Sequence, residues 1–311
     1  MNQIDLLVFK NSHEKATPSE LHDKIKDKHG SIVKYKTIYT SIYRLQKLGL
    51  IEKTKIGKKI QIHQTNIPVA SYLNNLIDEY PHYIHKGIFK DTSLQIQLSL
   101  LHNNCSAKII AEIANLSFRN TKRYLSKLHK LAIIRRHDEK KSSNEYNWEI
   151  NKRNNELIKF LEAHEEFNAL KIIQRIDKKS SLIWLNGIEF LIKTQKNIKQ
   201  PKFKKTGAAV LENYGLKLLP GNNFYFHSNR KLNIWDHAFL TVLSRRKDPT
   251  QLRYLAFLYY MKHPNKDEFK AKGEYYDKEA MQKVINLFEY GQETTDLKMK
   301  YIRELEQLYG R

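Results

Sequence analysis

Apolar residues in the first half of the chain recur at helical spacing and then run together where each helical stretch ends. In Ile42-Tyr43-Arg44-Leu45-Gln46-Lys47-Leu48-Gly49-Leu50-Ile51 they fall at i, i+3 and i+6 and close on the pair Leu50-Ile51. The stretch Leu125-Ser126-Lys127-Leu128-His129-Lys130-Leu131-Ala132-Ile133-Ile134, 83 residues on, repeats this arrangement. A helix with one buried face that passes through a tight corner into a strand gives such a pattern. Its recurrence predicts a duplicated structural unit.

The residues ahead of each corner complete the unit. Thr17-Pro18-Ser19-Glu20 is a helix start, with a hydroxyl cap, Pro at the first helical position and Glu placed to reach back to the cap. Leu21 and Ile25 bury that helix, and a break at His29-Gly30-Ser31 separates it from a helix over Lys34 to Lys47 whose apolar face is Ile38, Ile42, Leu45 and Leu48. Beyond Gly49, strands over Leu50 to Lys55 and Ile60 to Ile62 flank a turn at Gly57-Lys58-Lys59. The second copy places helices at Thr92 to His102, at Ser106 to Asn115 with Ile109, Ile110 and Ile113 inward, and from Ser117 or Phe118 to Leu131. Its strands, Ile133 to Arg136 and Tyr146 to Ile150, are joined by a polar tip, Asp138 to Asn144. The predicted order in each copy is helix, helix, helix, hairpin.

In the second half, Leu157, Ile158, Leu161, Phe167, Leu170, Ile173 and Ile176 predict a long helix over Asn154 to Ile176, either a packing element of the core or a seam for a homodimer. Helices are expected at Trp235 to Ser244, Pro249 to Lys262, Lys266 to Tyr276, Lys278 to Tyr290 and Thr294 to Tyr309. The fold class is therefore mainly α with small β-hairpins (α+β). The expected domains are 1–70, a linker at 71–87, 88–151, a linking helix at 152–179, and a basic α/β-to-helical C-terminal domain at 180–311.

Charge narrows the function. The chain holds 55 Lys plus Arg against 33 Asp plus Glu, a net +22 that calls for an anionic partner, with nucleic acid the default. The excess is directional: residues 1–70 hold 13 basic against 6 acidic residues, and 86–150 hold 12 against 6, with the acids mostly off the third helix of each copy. A single cysteine, Cys105, excludes disulfide frameworks and Cys-based zinc fingers and fits a reducing interior. Without a run of 18 apolar residues or a signal-peptide pattern at the N-terminus, the expectation is a soluble cytoplasmic protein with no membrane partner.

If the helix over 34–47 buries Ile38, Ile42 and Leu45, its opposite face presents Lys36, Tyr39, Thr40, Tyr43 and Arg44, with Lys34 and Tyr35 at its start. The corresponding face of the second copy carries Arg119, Asn120, Lys122, Arg123, Ser126 and Lys127. Arg and Asn pair bidentately with guanine and adenine edges, and lysines neutralise phosphates. Lys55, Lys58 and Lys59 on the first hairpin, and Lys140 and Lys141 on the tip of the second, extend the basic surface. Any solvated helix also shows charges opposite an apolar stripe, so this pattern alone does not decide.

Residues 191–235 hold nine Lys or Arg, including Lys202, Lys204 and Lys205, against Glu212 alone. Phe203, Tyr214, Phe224, Tyr225, Phe226 and Trp235 interleave with them. Two readings stand: a surface that grips phosphates and stacks bases, or strands whose aromatics form a core and whose lysines are solvated.

The two blocks, 2–66 and 88–151, resemble winged-helix DNA-binding domains of archaeal and bacterial transcription regulators, through Leu48-Gly49-Leu50-Ile51 and Leu131-Ala132-Ile133-Ile134, each followed by a basic hairpin. The resemblance implies duplex DNA as partner and a recognition helix in the major groove. Where that pattern prefers Gly at the corner the second copy has Ala132, which in a left-handed backbone costs roughly 1 kcal/mol, so a differently shaped corner is expected there. Trp184-Leu185-Asn186-Gly187-Ile188-Glu189 and Asp236-His237-Ala238-Phe239-Leu240 bear a likeness to the C-terminal region of AbiEi-type antitoxin regulators.

Enzyme signatures are sparse. Phosphate-cradling glycine motifs are missing, and His82 with His85 lacks further metal ligands. Trp235-Asp236-His237 reads as a helix cap. Asp248 with Glu268-Phe269-Lys270 has the acid and E-x-K spacing of some metal-dependent nucleases, but in a helical rather than a strand context. The expected function is sequence-specific double-stranded DNA binding for transcriptional regulation, without catalysis, cofactor or metal. A plasmid or viral replication initiator, an antitoxin-type autoregulator and a metal-dependent nuclease are the alternatives.

Overall fold

The computed structural model describes residues 1–29, 33–137, 146–218, 222–246 and 248–309, and the chain divides into two units, Met1–Phe167 and Asn168–Arg311. Both are mainly helical with small antiparallel sheets, as the apolar spacing predicts.

The first unit opens with α1 (Gln3–Asn11), α2 (Pro18–His29) and α3 (Tyr35–Leu48), followed by the hairpin β1 (Ile51–Ile56) and β2 (Lys59–Gln64). The start of α2 is the expected reciprocal cap: Thr17 N–H donates to Glu20 Oε2 at 2.7 Å and Glu20 N–H to Thr17 Oγ1 at 3.3 Å. α3 buries Ile38, Ile42 and Leu45 along one stripe. It ends at Gly49, where φ is 78° and two bonds, Gly49 N–H to Gln46 O and Leu50 N–H to Leu45 O, turn the chain into β1. A Cβ at Gly49 would stand 2.8 Å from Phe167 Cζ, so both the backbone angle and the space demand glycine. The hairpin turns through Gly57-Lys58, with Ile56 paired to Lys59.

The stretch read as a linker contains α4 (Pro68–Glu79), which buries Leu73, Leu76 and Ile77, and the single turn α5 (Tyr83–Lys86). The second block follows as α6 (Asp91–Ser99), β3 (Cys105–Ser106), α7 (Ala107–Ala114), α8 (Phe118–Lys130), β4 (Ile134–His137) and β5 (Asn147–Ile150). α6 stops short of His102 because the chain leaves it to form β3, which pairs with β5. Ile109 is exposed, contrary to expectation, since a helix that buries Ile110 and Ile113 rotates its neighbour off the core face. At the second corner Ala132 has φ 53°, and Ala132 N–H to His129 O with Ile133 N–H to Leu128 O repeats the bonds at Gly49. The corner expected to differ is therefore the same one, at the conformational cost of a Cβ. The two blocks also share a third strand position that the sequence does not signal. Ala16 bridges Ile62 where, in the second block, β3 pairs with β5. The polar tip over 138–144, with Lys140 and Lys141, lies outside the described residues.

The long helix is α9 (Asn155–Ile176), and the boundary between the units falls within it. Leu157, Phe160 and Leu161 are buried in the first unit. In the second, Ala169 and Ile173 pack with Phe190, Ile192, Phe203 and Tyr225.

The second unit is built on β6 (Ser181–Asn186), β7 (Glu189–Thr194), β8 (Phe203–Thr206) and β9 (Asn223–His227), in the order β6-β7-β9-β8, with α10 (Ala208–Leu211) after β8. Register places Leu191 opposite Phe226 on one face, and Phe190 and Ile192 opposite His227 and Tyr225 on the other. The first face packs into a large core with α11 (Ile234–Ser244), α12 (Pro249–Lys262), α13 (Lys266–Tyr276), α14 (Lys278–Tyr290) and α15 (Met299–Tyr309). α15 begins later than Thr294, which instead closes a turn by accepting from Leu297 N–H at 3.1 Å. No helix among the described residues is long and apolar enough to cross a membrane.

Candidate nucleic-acid interface

Helix α3 exposes Lys34, Tyr35, Lys36, Tyr39, Thr40 and Tyr43 because the buried stripe of Ile38, Ile42 and Leu45 turns them outward. Tyr35 packs edge-on against Tyr39 with ring centroids 5.0 Å apart, and its other side meets His22 at 5.5 Å. Thr40 Oγ1 donates to Lys36 O at 2.9 Å, which occupies the hydroxyl within the helix. Arg44, with 42 % of its side chain exposed, is tied at one end to another helix. Its Nη1 donates to Oδ2 of the fully buried Asp5 at 3.0 Å, and a carboxylate withdrawn from water holds its counter-charge firmly.

On the adjoining hairpin, Lys55, Lys58 and Lys59 are exposed. Two isoleucines stand exposed among them, each across the ladder from a lysine: Ile60 from Lys55 and Ile56 from Lys59. Strand alternation flags neither isoleucine as exposed, because a hairpin tip that outruns its core leaves apolar positions uncovered.

Helix α8 presents Arg119, Asn120, Lys122, Arg123 and Lys127, all exposed, opposite a stripe of Thr121, Leu125 and Leu128. Ser117 caps the helix by accepting from Asn120 N–H, which leaves the Asn120 side chain outward. Lys122 lies over the ring of Phe118 at 4.4 Å. The sequence reading missed Arg136, exposed on β4, whose guanidinium stacks over Tyr146 at 4.5 Å and Trp148 at 5.6 Å. Arg135 beside it is tied to Glu149 on β5.

Neither α3 nor α8 carries an Asp or Glu anywhere from 34 to 48 or from 117 to 131. The two helices occupy the same place in repeated blocks, so one local geometry produces both cationic faces.

The basic stretch over 191–235 turns out differently from the stacking surface that was one of its readings. Phe203, Phe224, Tyr225 and Phe226 are buried because they fill both faces of the sheet, and Trp235 is buried on α11 in the core that covers one of them. Lys202 and Lys205 are exposed, and Lys204 donates to Pro201 O at 2.6 Å. Lysines on an edge strand such as β8 have a reason within the fold, since they oppose edge-to-edge pairing. Arg230, counted among the cations of that stretch, is turned into the unit. Its Nε and Nη2 donate to Glu189 at 2.9 and 2.7 Å, and Nη2 to the Tyr276 hydroxyl at 3.1 Å. Tyr275 and Ser228 also donate to Glu189, while Tyr276 and Lys272 donate to Asp236 at 2.8 and 2.7 Å. Burial, with the Glu189 and Asp236 charges, pushes both tyrosine hydroxyls well above their ordinary range. Both carboxylates are fully buried; Asp236 is marked locally only as a cap, and nothing in the local sequence marks Glu189, whose partners lie 39 to 86 residues away.

The nuclease-like acids are engaged structurally. Asp248 caps α12, accepting from Thr250 N–H at 3.0 Å, and Glu268 accepts from Asn233 Nδ2 at 2.7 Å. Asp236 closes a capping box with Asn233 at the start of α11. Among the described residues no group of three or more His, Cys, Asp or Glu is placed to hold a metal ion. Comparison with known proteins finds no family model that matches the chain and no curated protein that matches its sequence.

Proposed function

We propose that the chain is a cytoplasmic duplex-DNA-binding protein that reads sequence through tandem winged helices and regulates transcription by binding rather than catalysis. One observation carries the reading: α3 and α8, equivalent helices of repeated blocks, present cationic faces that contain no carboxylate, beside basic hairpins. A helix face of this kind is suited to the major groove, with lysines toward phosphates and Arg119 and Asn120 toward base edges. The surrounding net charge of +22 draws the protein to polyanion by long-range attraction and counterion release. A homodimer through α9 is not part of this reading: Leu157, Leu161 and Ile173 are buried within the chain, and of the seven apolar positions that predict this helix only Leu170 is exposed.

The test is binding of the full chain to duplex fragments from its own genomic neighbourhood, by fluorescence anisotropy across a salt series. Six or more phosphate contacts lower affinity by about 10³ or more between about 50 and 200 mM salt. Arg119→Ala with Asn120→Ala should weaken preference among fragments more than it weakens general binding. Tighter binding to single-stranded RNA than to any duplex would refute the reading, and binding confined to repeated origin sequences would move it to replication initiation.

A further inference from the structure

The two proposed reading helices are not chemically equivalent. α8 exposes a guanidinium pair, Arg119 and Arg123, and the amide Asn120. These are the groups that make paired hydrogen bonds to guanine and adenine edges. On α3 the corresponding chemistry is withdrawn: Arg44 is held by buried Asp5, and the one amide, Gln46, lies in the last turn, away from the N-terminal half that approaches bases. In their place stand Tyr35, Tyr39 and Tyr43, spaced i, i+4, i+8, with 43, 44 and 63 % of their surface exposed. Apart from the edge contact of Tyr35 with His22, this row of rings on a solvated helix is an exposed aromatic surface.

Resting on the duplex-DNA reading above, we propose that α3 recognises the C5-methyl groups of thymines in an A·T-rich half of the target, while α8 reads purine edges in the other half. Thymine is the base whose major-groove edge offers an apolar group, and contact with that methyl is how apolar side chains discriminate it. The rings are set for this, since Tyr35 and Tyr39 brace one another at 5.0 Å and Tyr35 is backed by His22. A braced aromatic loses little freedom on binding. With its hydroxyl donated to Lys36 O, Thr40 keeps its methyl as the group for contact. Charge favours DNA over a protein as occupant: Lys34 and Lys36 flank Tyr35 in the chain, Lys55, Lys58 and Lys59 stand exposed on the hairpin of the same block, and no carboxylate from 34 to 48 complements a basic partner. The main competitor is a stacking platform for single-stranded bases, which would use the same rings.

The probe is a set of 30-base-pair duplexes recovered by the full chain from a random library, each resynthesised with deoxyuridine for thymidine in one half at a time. Uracil removes the methyl and leaves every hydrogen-bonding group in place. Substitution in the half protected by the first block should weaken binding about tenfold, and substitution in the other half should not. Tyr39→Phe with Tyr43→Phe should keep the uracil effect, and Tyr39→Ser with Tyr43→Ser should erase it. Duplex binding that is indifferent to uracil in both halves would overturn the proposal alone, and tighter binding to the thymidine-rich single strand than to the duplex would overturn it together with the duplex reading. Failure to retain any duplex at about 50 mM salt would overturn the duplex reading together with it.

Discussion

Arg44 donates a 3.0 Å hydrogen bond to the carboxylate of Asp5, which is buried at the third position of α1, so the one arginine of α3 fastens α3 to α1. Asp5 also receives the Asn2 N–H at 2.7 Å, so the pair links a helix cap to the helix proposed to read DNA. Arg44→Ala removes the charged partner of a buried carboxylate and should lower stability by about 2 kcal/mol. Urea denaturation measures the loss. Binding of DNA to the folded variant should change much less, and a large affinity loss with unchanged stability would put Arg44 back on the interface.

The corners at Gly49 and Ala132 make identical hydrogen bonds with opposite tolerance to substitution. Gly49→Ala places a Cβ 2.8 Å from Phe167 Cζ in a left-handed backbone and should destabilise by about 2 kcal/mol or more. Ala132→Gly relieves the same backbone strain, offset in part by a freer unfolded chain, and should hold stability or raise it by up to about 1 kcal/mol. Thermal unfolding of the two variants side by side checks the pair. A destabilised Ala132→Gly would mean that the Cβ makes a favourable contact outweighing the strain.

Much of this fold is legible in the chain because its signals are local. The cap at Thr17 to Glu20, the stripe of Ile38, Ile42 and Leu45, and the bounds of α12, α13 and α14 each depend on residues within a few positions of one another. What escapes is long-range. The fate of Arg44 depends on a carboxylate 39 residues earlier, and that of Arg230 on one 41 residues earlier. Periodicity says that an arginine stands off an apolar stripe; only tertiary structure says whether a buried acid claims it. The aromatics over 203–226 show the same limit, since a sheet covered on both faces buries alternate residues either way.

The first hairpin should act on affinity rather than on sequence preference. Lys58→Ala with Lys59→Ala removes two exposed ammonium groups that make no ion pair among the described residues. Affinity should fall evenly across fragments, and the slope of log K against log salt should shrink by about 2. Anisotropy titrations at several salt concentrations measure both. A change in preference among fragments would show that the hairpin reads bases.

Acidification should act on three histidines with opposite signs. Burial holds His227 and His237 below the ordinary imidazole value despite the Ile188 carbonyl beside one and Asp236 beside the other. Each resists protonation in the fold but not in the unfolded chain, so stability falls as pH drops through about 6.5. For His102, burial opposes protonation, yet the Glu165 carboxylate at 2.6 Å outweighs it and raises the value. Its contribution is fully present below about 6.5 and is lost as pH rises through the elevated value. His227→Phe should therefore flatten the acid limb of a stability–pH profile and His102→Gln should steepen it. Parallel profiles for both variants and the parent would refute the assignment.

Within the second unit, the cations of the basic stretch should separate into two classes by their loss. Arg230 lies between Glu189 and Asp236, two fully buried carboxylates, and its nearest approach to Asp236 is 3.6 Å. Removing it leaves Glu189 with only neutral donors, Tyr275 and Ser228, in a low-dielectric site. Breaking a buried pair from one side costs about 3–5 kcal/mol, so Arg230→Met should unfold the second unit well below the parent's midpoint. Lys202→Ala with Lys205→Ala, both exposed near or on β8, should shift stability by less than about 0.5 kcal/mol. Their removal should also make the protein more prone to associate, because the edge strand is left with Lys204 alone, which is tied to Pro201 O. Calorimetry and light scattering distinguish these outcomes. Equal small effects for all three cations would mean that the Glu189 carboxylate is satisfied without Arg230.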